Sequence, residues 1–530
     1  MKTKFNFLTV FCFIITPVSV LVAQSQFSRV FYHDTHSVRA YSIVKTFDND
    51  FLLAGEKNHN PLVLKMDTLG NILWNKTYGS QGTFFSLTRT DDSCFVFAGN
   101  IFNTVDSASN VFCVKVNATG DTLWTKEINM GVNDYAYSIQ QTNDKGYILT
   151  GFTSTDIYNY SYYGNYYLHS RIIIVRLDSS GNLMWGKIIS GGNFSNNTFS
   201  IKQIPDSGFV ATGYVTDTLS SSSYTKSFLL KLSPTGNVSW FKKHDWNTSP
   251  SYGFDVNVTD SGLICYFSIY NNSVVLKTDF SGNVIWSNQY NVFSYFGFYN
   301  QPFLKMHPSS DHGFILTTGM VLLKIDSTGN LAWTSNYWIE SISDCIETAD
   351  TGFIVLGNGP MYITKYSGQP EIAILKTDSI GYVSQCFEGS QSITPSQFPV
   401  NMLQATFTDT VAGTVKMQYQ QIVDVPILER SGCVDVVGKI KENQLVVNAF
   451  NVFPNPSNGL FQITFSKSMS FGLIKIGIFN TIGQKIYESD NSDINGLSIN
   501  LNKQSDGIYF IQVMHNGEIN SLKIIINKKD

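Results

Sequence analysis

The sequence predicts an all-β protein made of seven units of four strands, and two repeated patterns support this prediction. The first pattern, best preserved as LKTDFSGNVIW at residues 276–286, recurs along the chain, and successive copies end 46 to 61 residues apart. The second is an aspartate ahead of each copy, usually followed two residues later by glycine and then by an aromatic residue. Repeats of this length, with short apolar runs between turns, are typical of β-propellers. We therefore predict a seven-bladed β-propeller of four-stranded blades at residues 24–385.

Each copy of the first pattern predicts a hairpin. The apolar, β-branched run before the aspartate is typical of a strand, and the Asp-x-x-Gly-Asn step is typical of a tight turn. Glycine occupies the same turn position in all seven copies, as expected where the backbone needs a positive φ. The turn glycines are Gly70, Gly120, Gly181, Gly236, Gly282, Gly329 and Gly381.

A tryptophan ends six of the seven copies, and we expect it to dock each blade on its neighbour. The six are Trp74, Trp124, Trp185, Trp240, Trp286 and Trp333. A fully buried indole covers about 200 Å², which corresponds to at most about 5 kcal/mol. The seventh copy ends at Gln385 without the tryptophan strand, whereas residues 27–32 resemble such a strand. We therefore expect the N-terminal strand to complete the last blade, which leaves no exposed edge there.

The first 23 residues predict a secretory signal peptide. Two lysines precede an apolar run over residues 5–22, and Ala23 offers a small residue for cleavage. The run is nearly long enough to span a bilayer, so a membrane anchor is the alternative. Pro17 and the polar residues after Ala23 favour the signal peptide. No transmembrane segment is expected in the mature chain.

Charge and cysteine content narrow the classes of partner. Without the two lysines of the signal peptide, the chain has 34 basic and 40 acidic residues, which argues against nucleic acid as a partner. Six of the seven cysteines remain after cleavage, and an exported protein can pair them. We predict one disulfide between Cys386 and Cys433 and another between Cys94 and Cys113. The sequence contains no CxxC pair and no cluster of histidines that would indicate a metal site. We therefore expect no metal site.

The first pattern resembles the tryptophan-docking repeat of the quinoprotein (PQQ-like) propellers, whose blades carry an Asp, a Gly and a Trp at this spacing. The resemblance covers about residues 27–385 and implies the propeller fold. Two departures argue against the cofactor chemistry of that family. Leu or Val replaces the alanine expected before the Leu-x-Asp step, and the adjacent Cys-Cys pair of many alcohol-oxidising members is missing. We therefore expect a scaffold without a cofactor.

A basic residue recurs in every copy of the first pattern. Seven cations arranged around a propeller could hold an anion, whereas a structural ion pair with the recurrent aspartate, or an outward-facing side chain, is the alternative. The basic residues are Lys65, Lys115, Arg176, Lys231, Lys277, Lys324 and Lys376. The aspartates are Asp48, Asp92, Asp144, Asp206, Asp260, Asp311 and Asp350.

The third unit is lengthened by residues 156–171, a tyrosine-rich insertion between two predicted strands. Tyrosines in loops stack on sugars and on partner surfaces, so this insertion is a candidate ligand-binding loop. The alternative is that it packs on its own blade. Its tyrosines are Tyr158, Tyr160, Tyr162, Tyr163, Tyr166 and Tyr167.

The repeat ends at residue 385, and residues 386–448 predict a linker or an ancillary β segment. A new series of blocks follows: NVFPNPSNGLFQITF, IKIGIFNTIGQKIYES, SDGIYFIQV and LKIIINK. Their order resembles the type A C-terminal sorting domain of the type IX secretion system, over about residues 451–529. The resemblance implies a small seven-stranded Ig-like β-sandwich at residues 449–530 that interacts with the type IX machinery. It also implies secretion, or display on the outer surface of a Gram-negative bacterium.

These observations favour a non-catalytic binding or structural module with a glycan or a surface protein as its ligand. The alternative is an extracellular enzyme on a propeller scaffold, either glycan-active or a quinoprotein dehydrogenase. A hydrolase would need converging carboxylates with divergent pKa values. The aspartates here instead recur at turn positions in every unit, and no GxSxG or HExxH motif occurs. We therefore predict no catalytic residues.

Overall fold

The computed structural model describes residues 26–32, 36–105, 107–154, 170–191, 195–216, 225–245, 250–269, 272–292, 304–337, 339–359, 371–383, 387–389, 396–397, 401–404, 408–411, 414–416, 422–424, 428–431, 450–455, 457–465, 474–480, 484–491, 497–515 and 518–528. For residues 387–431 the description covers the backbone strands. Within these ranges every regular element is a β-strand, and no helix there is long and apolar enough to cross a membrane. The predicted signal peptide lies outside them.

After a first strand, β1 (Phe27–Tyr32), the described residues form consecutive antiparallel groups of strands. Groups 1 to 3 are β2–β5 (Val38–Lys45, Phe51–Lys57, Asn60–Met66, Ile72–Tyr78), β6–β9 (Gly82–Arg89, Phe95–Asn103, Ala108–Val116, Thr122–Asn129) and β10–β13 (Asn133–Gln141, Tyr147–Ser154, Ser170–Leu177, Leu183–Ser190). Groups 4 and 5 are β14–β17 (Asn196–Gln203, Phe209–Thr216, Thr225–Leu232, Val238–Asp245) and β18–β21 (Ser251–Thr259, Gly262–Ile269, Asn272–Thr278, Val284–Tyr290). Groups 6 and 7 are β22–β25 (Met306–Pro308, Phe314–Thr318, Val321–Ile325, Leu331–Tyr337) and β26–β28 (Ser341–Glu347, Phe353–Asn358, Ile372–Lys376). A parallel pairing of Asn133 with Ser109 joins groups 2 and 3 into one sheet.

The third and fourth strands of groups 1 to 6 pair in one common register, with the basic residue of the repeat opposite the tryptophan. The pairs are Lys65 with Trp74, Lys115 with Trp124, Arg176 with Trp185, Lys231 with Trp240, Lys277 with Trp286, and Lys324 with Trp333. The turn between the strands is closed by side chains: Asp279 Oδ1 accepts hydrogen bonds from the backbone N–H groups of Ser281 (2.9 Å) and Asn283 (2.8 Å). The seven turn glycines have φ between 74° and 85°, which confirms the predicted positive φ.

Strand β1 takes the fourth place in group 7. It pairs antiparallel with β28, and Phe27 stands opposite Lys376, the position that tryptophan holds in the other groups. The prediction that the N-terminal strand completes the last unit is therefore confirmed. Phe31 of β1 is fully buried, so the strand contributes to the core as well as to the sheet.

Residues 387–431, which we call the edge segment, form short strands that each add to the outer edge of one group. They are β29 (Phe387–Gly389), β30 (Ser396–Gln397), β31 (Asn401–Gln404), β32 (Thr408–Val411), β33 (Thr414–Lys416), β34 (Ile422–Asp424) and β35 (Leu428–Ser431). They pair antiparallel with β25, β21, β17, β13, β9, β5 and β1, in that order. Successive strands of the edge segment thus pair with groups 6, 5, 4, 3, 2 and 1, in that order, and the last strand pairs with group 7. Each group gains a fifth strand, and β1 lies between β28 and β35.

The hydrophobic cores lie between neighbouring groups. Leu52 of group 1 packs in one cluster with Phe84 of group 2, and the other consecutive groups share clusters in the same way. Leu53 of group 1 also shares a cluster with Ile354 of group 7. The last group therefore packs against the first as well as against the sixth.

Hydrogen bonds also join the first and last groups. The backbone N–H of Ile43 donates to Asp344 Oδ2 (3.0 Å), and that of Ala40 donates to Asn358 Oδ1 (2.9 Å). The side-chain amide of Asn358 in turn donates to Ala40 O (2.7 Å). These contacts connect residues that are about 300 positions apart in the sequence.

The chain divides into two compact units, Met1–Asp435 and Val436–Asp530. The described strands of the second unit are β36 (Phe450–Phe453), β37 (Leu460–Phe465), β38 (Ile474–Asn480), β39 (Lys485–Asn491), β40 (Leu497–Asn500), β41 (Gly507–His515) and β42 (Glu518–Ile526). They form a three-stranded sheet, β36-β37-β40, and a four-stranded sheet, β39-β38-β41-β42. Buried isoleucines of both sheets, including Ile463 and Ile511, share one core.

Candidate functional site

Each predicted docking tryptophan lies against the turn glycine of the next group. A Cβ atom at Gly120 would lie 2.7 Å from Cη2 of Trp74, so a larger residue would not fit without movement. The contacts are Trp74 with Gly120, Trp124 with Gly181, Trp185 with Gly236, Trp240 with Gly282, Trp286 with Gly329, and Trp333 with Gly381. Phe27 makes the equivalent contact with Gly70. The indoles are partly exposed, so each stabilises the protein less than a fully buried indole would.

Tyrosine hydroxyls strengthen three of these contacts. Each tyrosine lies four residues after a docking tryptophan and donates a hydrogen bond to the carbonyl of the next turn glycine. The bonds run from Tyr78 Oη to Gly120 O (2.6 Å), from Tyr290 Oη to Gly329 O (2.5 Å) and from Tyr337 Oη to Gly381 O (2.6 Å). Burial raises the pKa of the Tyr337 hydroxyl well above its ordinary value, so the hydroxyl remains a donor across the physiological range.

The recurrent basic residues form ion pairs with the recurrent aspartates of their own groups. The pairs are Lys65 with Asp48 (2.5 Å), Lys115 with Asp92 (2.6 Å), Arg176 with Asp144, Lys231 with Asp206 (2.7 Å), Lys324 with Asp311 (2.7 Å) and Lys376 with Asp350 (2.9 Å). Lys277 instead donates to Thr259 Oγ1 (2.5 Å). Because six of the seven cations already hold a carboxylate, the structural ion pair is confirmed and the anion site is not supported.

These contacts hold the pKa of the aspartates low. Partial burial alone would raise the pKa of Asp311, but hydrogen bonds from Lys324 and Ser309 lower it to about 2. Partial burial would likewise raise the pKa of Asp48, but hydrogen bonds from Lys65 and Thr46 outweigh this effect and lower the pKa to about 2. A carboxylate with so low a pKa cannot act as a general acid near neutral pH.

Residues 156–169 of the tyrosine-rich insertion lie outside the described residues, and so do all six of its candidate tyrosines, Tyr158, Tyr160, Tyr162, Tyr163, Tyr166 and Tyr167. Its two ends are defined, because β11 ends at Ser154, β12 begins at Ser170, and these two residues pair. Asn133, the first residue of β10, also pairs with Ser154. The insertion therefore leaves and re-enters group 3 at the end where the first strand of that group begins.

The predicted disulfide between Cys94 and Cys113 is wrong. Both cysteines are free, and the register explains why: Phe95 stands opposite Val116, and Cys113 stands opposite Ala98. Cys94 is therefore several residues out of register with Cys113. Burial raises the pKa of the Cys113 thiol to about 12, so it stays protonated.

The other cysteines have different outcomes. Cys265 and Cys345 are free and buried, on β19 and β26 respectively. Cys386 and Cys433 lie outside the described residues, and their pairing stays a prediction.

A row of aromatic side chains, which the sequence analysis missed, crosses the first strands of groups 1 to 5. The aromatic row consists of Tyr41, Phe85, Tyr137, Phe199 and Phe254. Successive ring centroids are 5.4, 5.1, 5.6 and 5.7 Å apart. In each group the register between the first and second strands shifts at this residue, which has no partner on the second strand and so forms a β-bulge. A β-bulge changes the direction in which a side chain points. The sequence does contain a pattern that could have indicated this row: in groups 1 to 4 the aromatic residue lies seven positions before the recurrent aspartate.

Part of the aromatic row reaches the surface at groups 2 and 3. Phe85 and Tyr137 are partly exposed, and so is Tyr135, whose ring centroid is 6.5 Å from that of Phe85. The buried ring of Phe152 supports both tyrosines, with centroids 4.9 Å from Tyr135 and 5.8 Å from Tyr137. We call Phe85, Tyr135 and Tyr137 the aromatic patch. It lies near the start of β10, the end of group 3 from which the tyrosine-rich insertion extends.

The aromatic row ends at a carboxylate that is already hydrogen bonded. Glu56 accepts hydrogen bonds from Arg39 Nη1 (2.9 Å) and Thr83 Oγ1 (2.8 Å), and Tyr41 Oη lies 3.5 Å away. Burial and the charge of Glu56 raise the pKa of Tyr41 well above its ordinary value. Among the described residues, no group of three or more His, Cys, Asp or Glu side chains is arranged to hold a metal ion. The chemistry available at the patch is ring stacking together with hydrogen bonding by tyrosine hydroxyls.

Residues 451–527 match the family described as "Secretion system C-terminal sorting domain". This domain is found at the place where the sequence predicts the type IX sorting domain. It directs export to the cell surface or secretion in Bacteroidetes-like Gram-negative bacteria. The match covers the C-terminal region alone, and no curated protein matches the chain.

Several solved structures show distant similarity. One is a protein of unknown function from Bacteroides caccae, with 11% identity, a TM-score of 0.31, and coverage of 58% of this chain and 93% of that one. Another is the extracellular domain assigned to the one-component system BT4673 of B. thetaiotaomicron, with 9% identity, a TM-score of 0.32, and coverage of 92% and 68%. A third is Drosophila Plexin A in complex with Semaphorin 1b, with 7% identity, a TM-score of 0.29, and coverage of 67% and 87%. TM-scores this low carry no argument about this chain's fold or function.

Proposed function

Since the chain carries a sorting domain for export, we propose that its repeats form a seven-bladed β-propeller that acts outside the cell as a non-catalytic binding module. The aromatic patch of Phe85, Tyr135 and Tyr137 is the observation that carries the binding role. Partly exposed aromatic rings on rigid strands are a preformed surface for a ligand, because little side-chain freedom is lost on binding.

Three features support the propeller. The described residues contain seven groups of the same strand order, their cores lie between consecutive groups, and group 7 packs against group 1. The N-terminal strand in group 7 fits the way in which a closed propeller ties its ends together. Electron-microscopy class averages of the mature protein should show a disc with seven similar blades. An open or differently numbered array would contradict this part of the proposal.

A glycan is the ligand class that the patch fits best. Sugar rings present apolar C–H faces bordered by hydroxyl groups, so they can stack on Phe85 and Tyr137 and also hydrogen bond to tyrosine hydroxyls. The tyrosine-rich insertion contains six further tyrosines, and the residues Ser154 and Ser170 that flank it pair at the same end of group 3. A surface protein is the other ligand class that the sequence leaves open.

The test is a screen of the mature chain against a glycan array and against outer-membrane proteins, followed by point variants. For a ligand so found, Tyr137→Ala and Phe85→Ala should each weaken binding by about two- to tenfold, since an aromatic contact contributes roughly 0.5–1.5 kcal/mol. Tyr487→Ala is the matched control, because Tyr487 is a partly exposed aromatic residue of the second unit.

Equal affinities of the patch variants and the parent would contradict the patch as the binding site. Cleavage or oxidation of a bound glycan by the mature chain would instead favour an extracellular enzyme.

A further inference from the structure

The edge segment pairs with one half of each outer strand. On β13 (Leu183–Ser190) the paired residues are Lys187 to Ser190, and on β21 (Val284–Tyr290) they are Asn288 and Gln289. The same holds for the other groups, where the paired residues always follow the tryptophan or, in β1, Phe27. The half that contains the tryptophan has no partner within the described residues of the edge segment.

Exposed apolar side chains lie on the half that the edge segment leaves open. The residue directly before the tryptophan is Leu73 in group 1, Leu123 in group 2, Met184 in group 3 and Ile285 in group 5. Their exposed fractions are 48%, 53%, 56% and 56%. These side chains lie beside the half that pairs with the edge segment, and a strand edge that loses its partner is a template for pairing with another chain.

Each strand of the edge segment is short. The seven strands contain two to four residues, whereas the outer strands that receive them contain six to eight. A strand of two to four residues forms few hydrogen bonds, so each one can open locally while its group stays folded. Once it has opened, the same molecule exposes both an acceptor edge and a donor strand of matching register.

We propose that the outer edges of the seven groups are strand-acceptor sites, which the edge segment occupies within its own chain and which accept the edge segment of a second copy when it is displaced. A second copy is the partner that fits, because its segment carries the same seven strands in the same order and register. The exchange buries the exposed edge and the free strand of both copies at once, as in domain swapping. The inference rests on the strand pairings and not on the ligand-binding role.

The first experiment removes one donor strand from the full mature chain. Residues 408–411, which form β32, are replaced by Gly-Ser-Gly-Ser, and the matched control carries the same replacement at residues 392–395, between two strands of the segment. Hydrogen exchange should become at least tenfold faster at those amides among Lys187 to Ser190 that donate to β32 in the first variant, and stay unchanged in the control. A synthetic peptide of residues 405–413, which supplies the missing strand from outside the chain, should bind the first variant and restore slow exchange on β13.

Amides of β12 (Ser170–Leu177) test whether group 3 stays folded in that variant, because β12 does not touch the edge segment. A variant that keeps β12 protected but binds no peptide of residues 405–413 would overturn the proposal. So would unchanged exchange at Lys187 to Ser190.

The second experiment uses the unaltered chain and so does not depend on the variant folding. Equal amounts of ¹⁴N-labelled and ¹⁵N-labelled protein are incubated together and cross-linked through lysines. Lys416 of β33 pairs opposite Glu127 of β9, next to Lys126, so a Lys416 to Lys126 cross-link reports this pairing. We expect cross-links that join the two isotopes, and their fraction should rise with concentration. Cross-links confined to single-isotope pairs would overturn the exchange between copies.

Discussion

At the scale of single residues, each of the six docking tryptophans covers the turn glycine of the next group, which has a positive φ. A fixed glycine in every repeat follows from a backbone with φ between 74° and 85°, and the structure adds that the tryptophan of the preceding group covers it. The ion pairs were foreseeable for the same reason, since both partners recur once per repeat. The aromatic row was not foreseeable, because a bulge changes the direction of a side chain. The alternation of apolar and polar residues along a strand does not reveal where a bulge lies.

The glycine contact predicts a large effect from one methyl group. Gly120→Ala should lower the free energy of unfolding by about 2–4 kcal/mol, since it combines a left-handed backbone with a clash against Trp74. Ala118→Ser, an exposed change in the same turn, should stay within about 0.5 kcal/mol of the parent. Urea denaturation followed by fluorescence measures both. Equal stability of the two variants would show that the contact is loose.

The ion pairs predict a loss of stability in acid. The folded pKa of Asp311 is depressed to about 2, so its contribution is present above the ordinary pKa and is lost as pH falls from about 4 to 2. Lys324→Met should flatten the stability curve over that range. Its cost at neutral pH should stay below about 1 kcal/mol, because the Asp311 side chain is 61% exposed and screened by solvent.

Lys277→Met is the control for this experiment, since Lys277 donates to a threonine hydroxyl instead of a recurrent aspartate. Thermal unfolding at a series of pH values between 2 and 7 gives the measurement. The same acid dependence in the parent and in Lys324→Met would exclude this ion pair as its source.

At the scale of elements, the N-terminal strand was predictable and the edge segment was not. Phe27 could be aligned with the tryptophans because residues 27–32 occupy the spacing of a repeat. The edge segment has no such spacing, and its strands of two to four residues are too short to show alternation. Their pairing depends on outer strands that are 50 to 400 residues away in the sequence, a distance at which local pattern gives no information.

Deletion of the N-terminal strand should disturb group 7 from both sides. A mature chain that lacks residues 24–32 loses the partner of β28 and of β35 together with the buried Phe31. We expect loss of a single cooperative transition and a lower melting temperature, since the deletion exposes strand edges and removes buried apolar surface. Differential scanning calorimetry decides the matter, and a deletion variant that melts like the parent would refute the closure.

The predicted disulfide between Cys386 and Cys433 would join the two ends of the edge segment. Cys386 directly precedes β29, and Cys433 follows β35 by two residues. By the chain-entropy relation, closing this span of residues contributes about 4 kcal/mol. Peptide mapping without reductant should recover the two cysteines in one linked peptide. Recovery of both as free thiols in freshly secreted protein would reject the pair.

At the scale of the whole molecule, the sequence predicts both the repeats and the sorting domain for export. Seven groups, the N-terminal strand and the sorting domain follow from patterns that recur or that match in order. The packing of group 7 against group 1 could be expected only from closure of the array. The five-stranded groups could not be expected, because the fifth strands come from a segment outside the repeats.

The sorting domain should be separable from the rest of the chain. The edge segment ends at Ser431 and the second compact unit begins at Val436, so removal of residues 449–530 leaves every strand of groups 1 to 7 in place. The truncated chain should fold and accumulate in the periplasm, and residues 449–530 should carry an unrelated exported protein outside the cell. Cell fractionation tests both. Normal amounts of the truncated chain on the surface or in the medium would contradict the assignment.

The reverse course of the edge segment has a consequence for the time at which folding can finish. Arg29 pairs with Ser431. A strand near the start of the mature chain therefore cannot complete its pairing until a strand about 400 residues later has been synthesised. Contacts of such high sequence separation slow folding, because the chain must close a long loop before any pairing offsets the lost entropy. A nascent chain cut short before Ser431 has an unsatisfied first strand. The N-terminal strand thus acts as a check on completeness: it becomes fully paired only in chains that extend to the end of the edge segment.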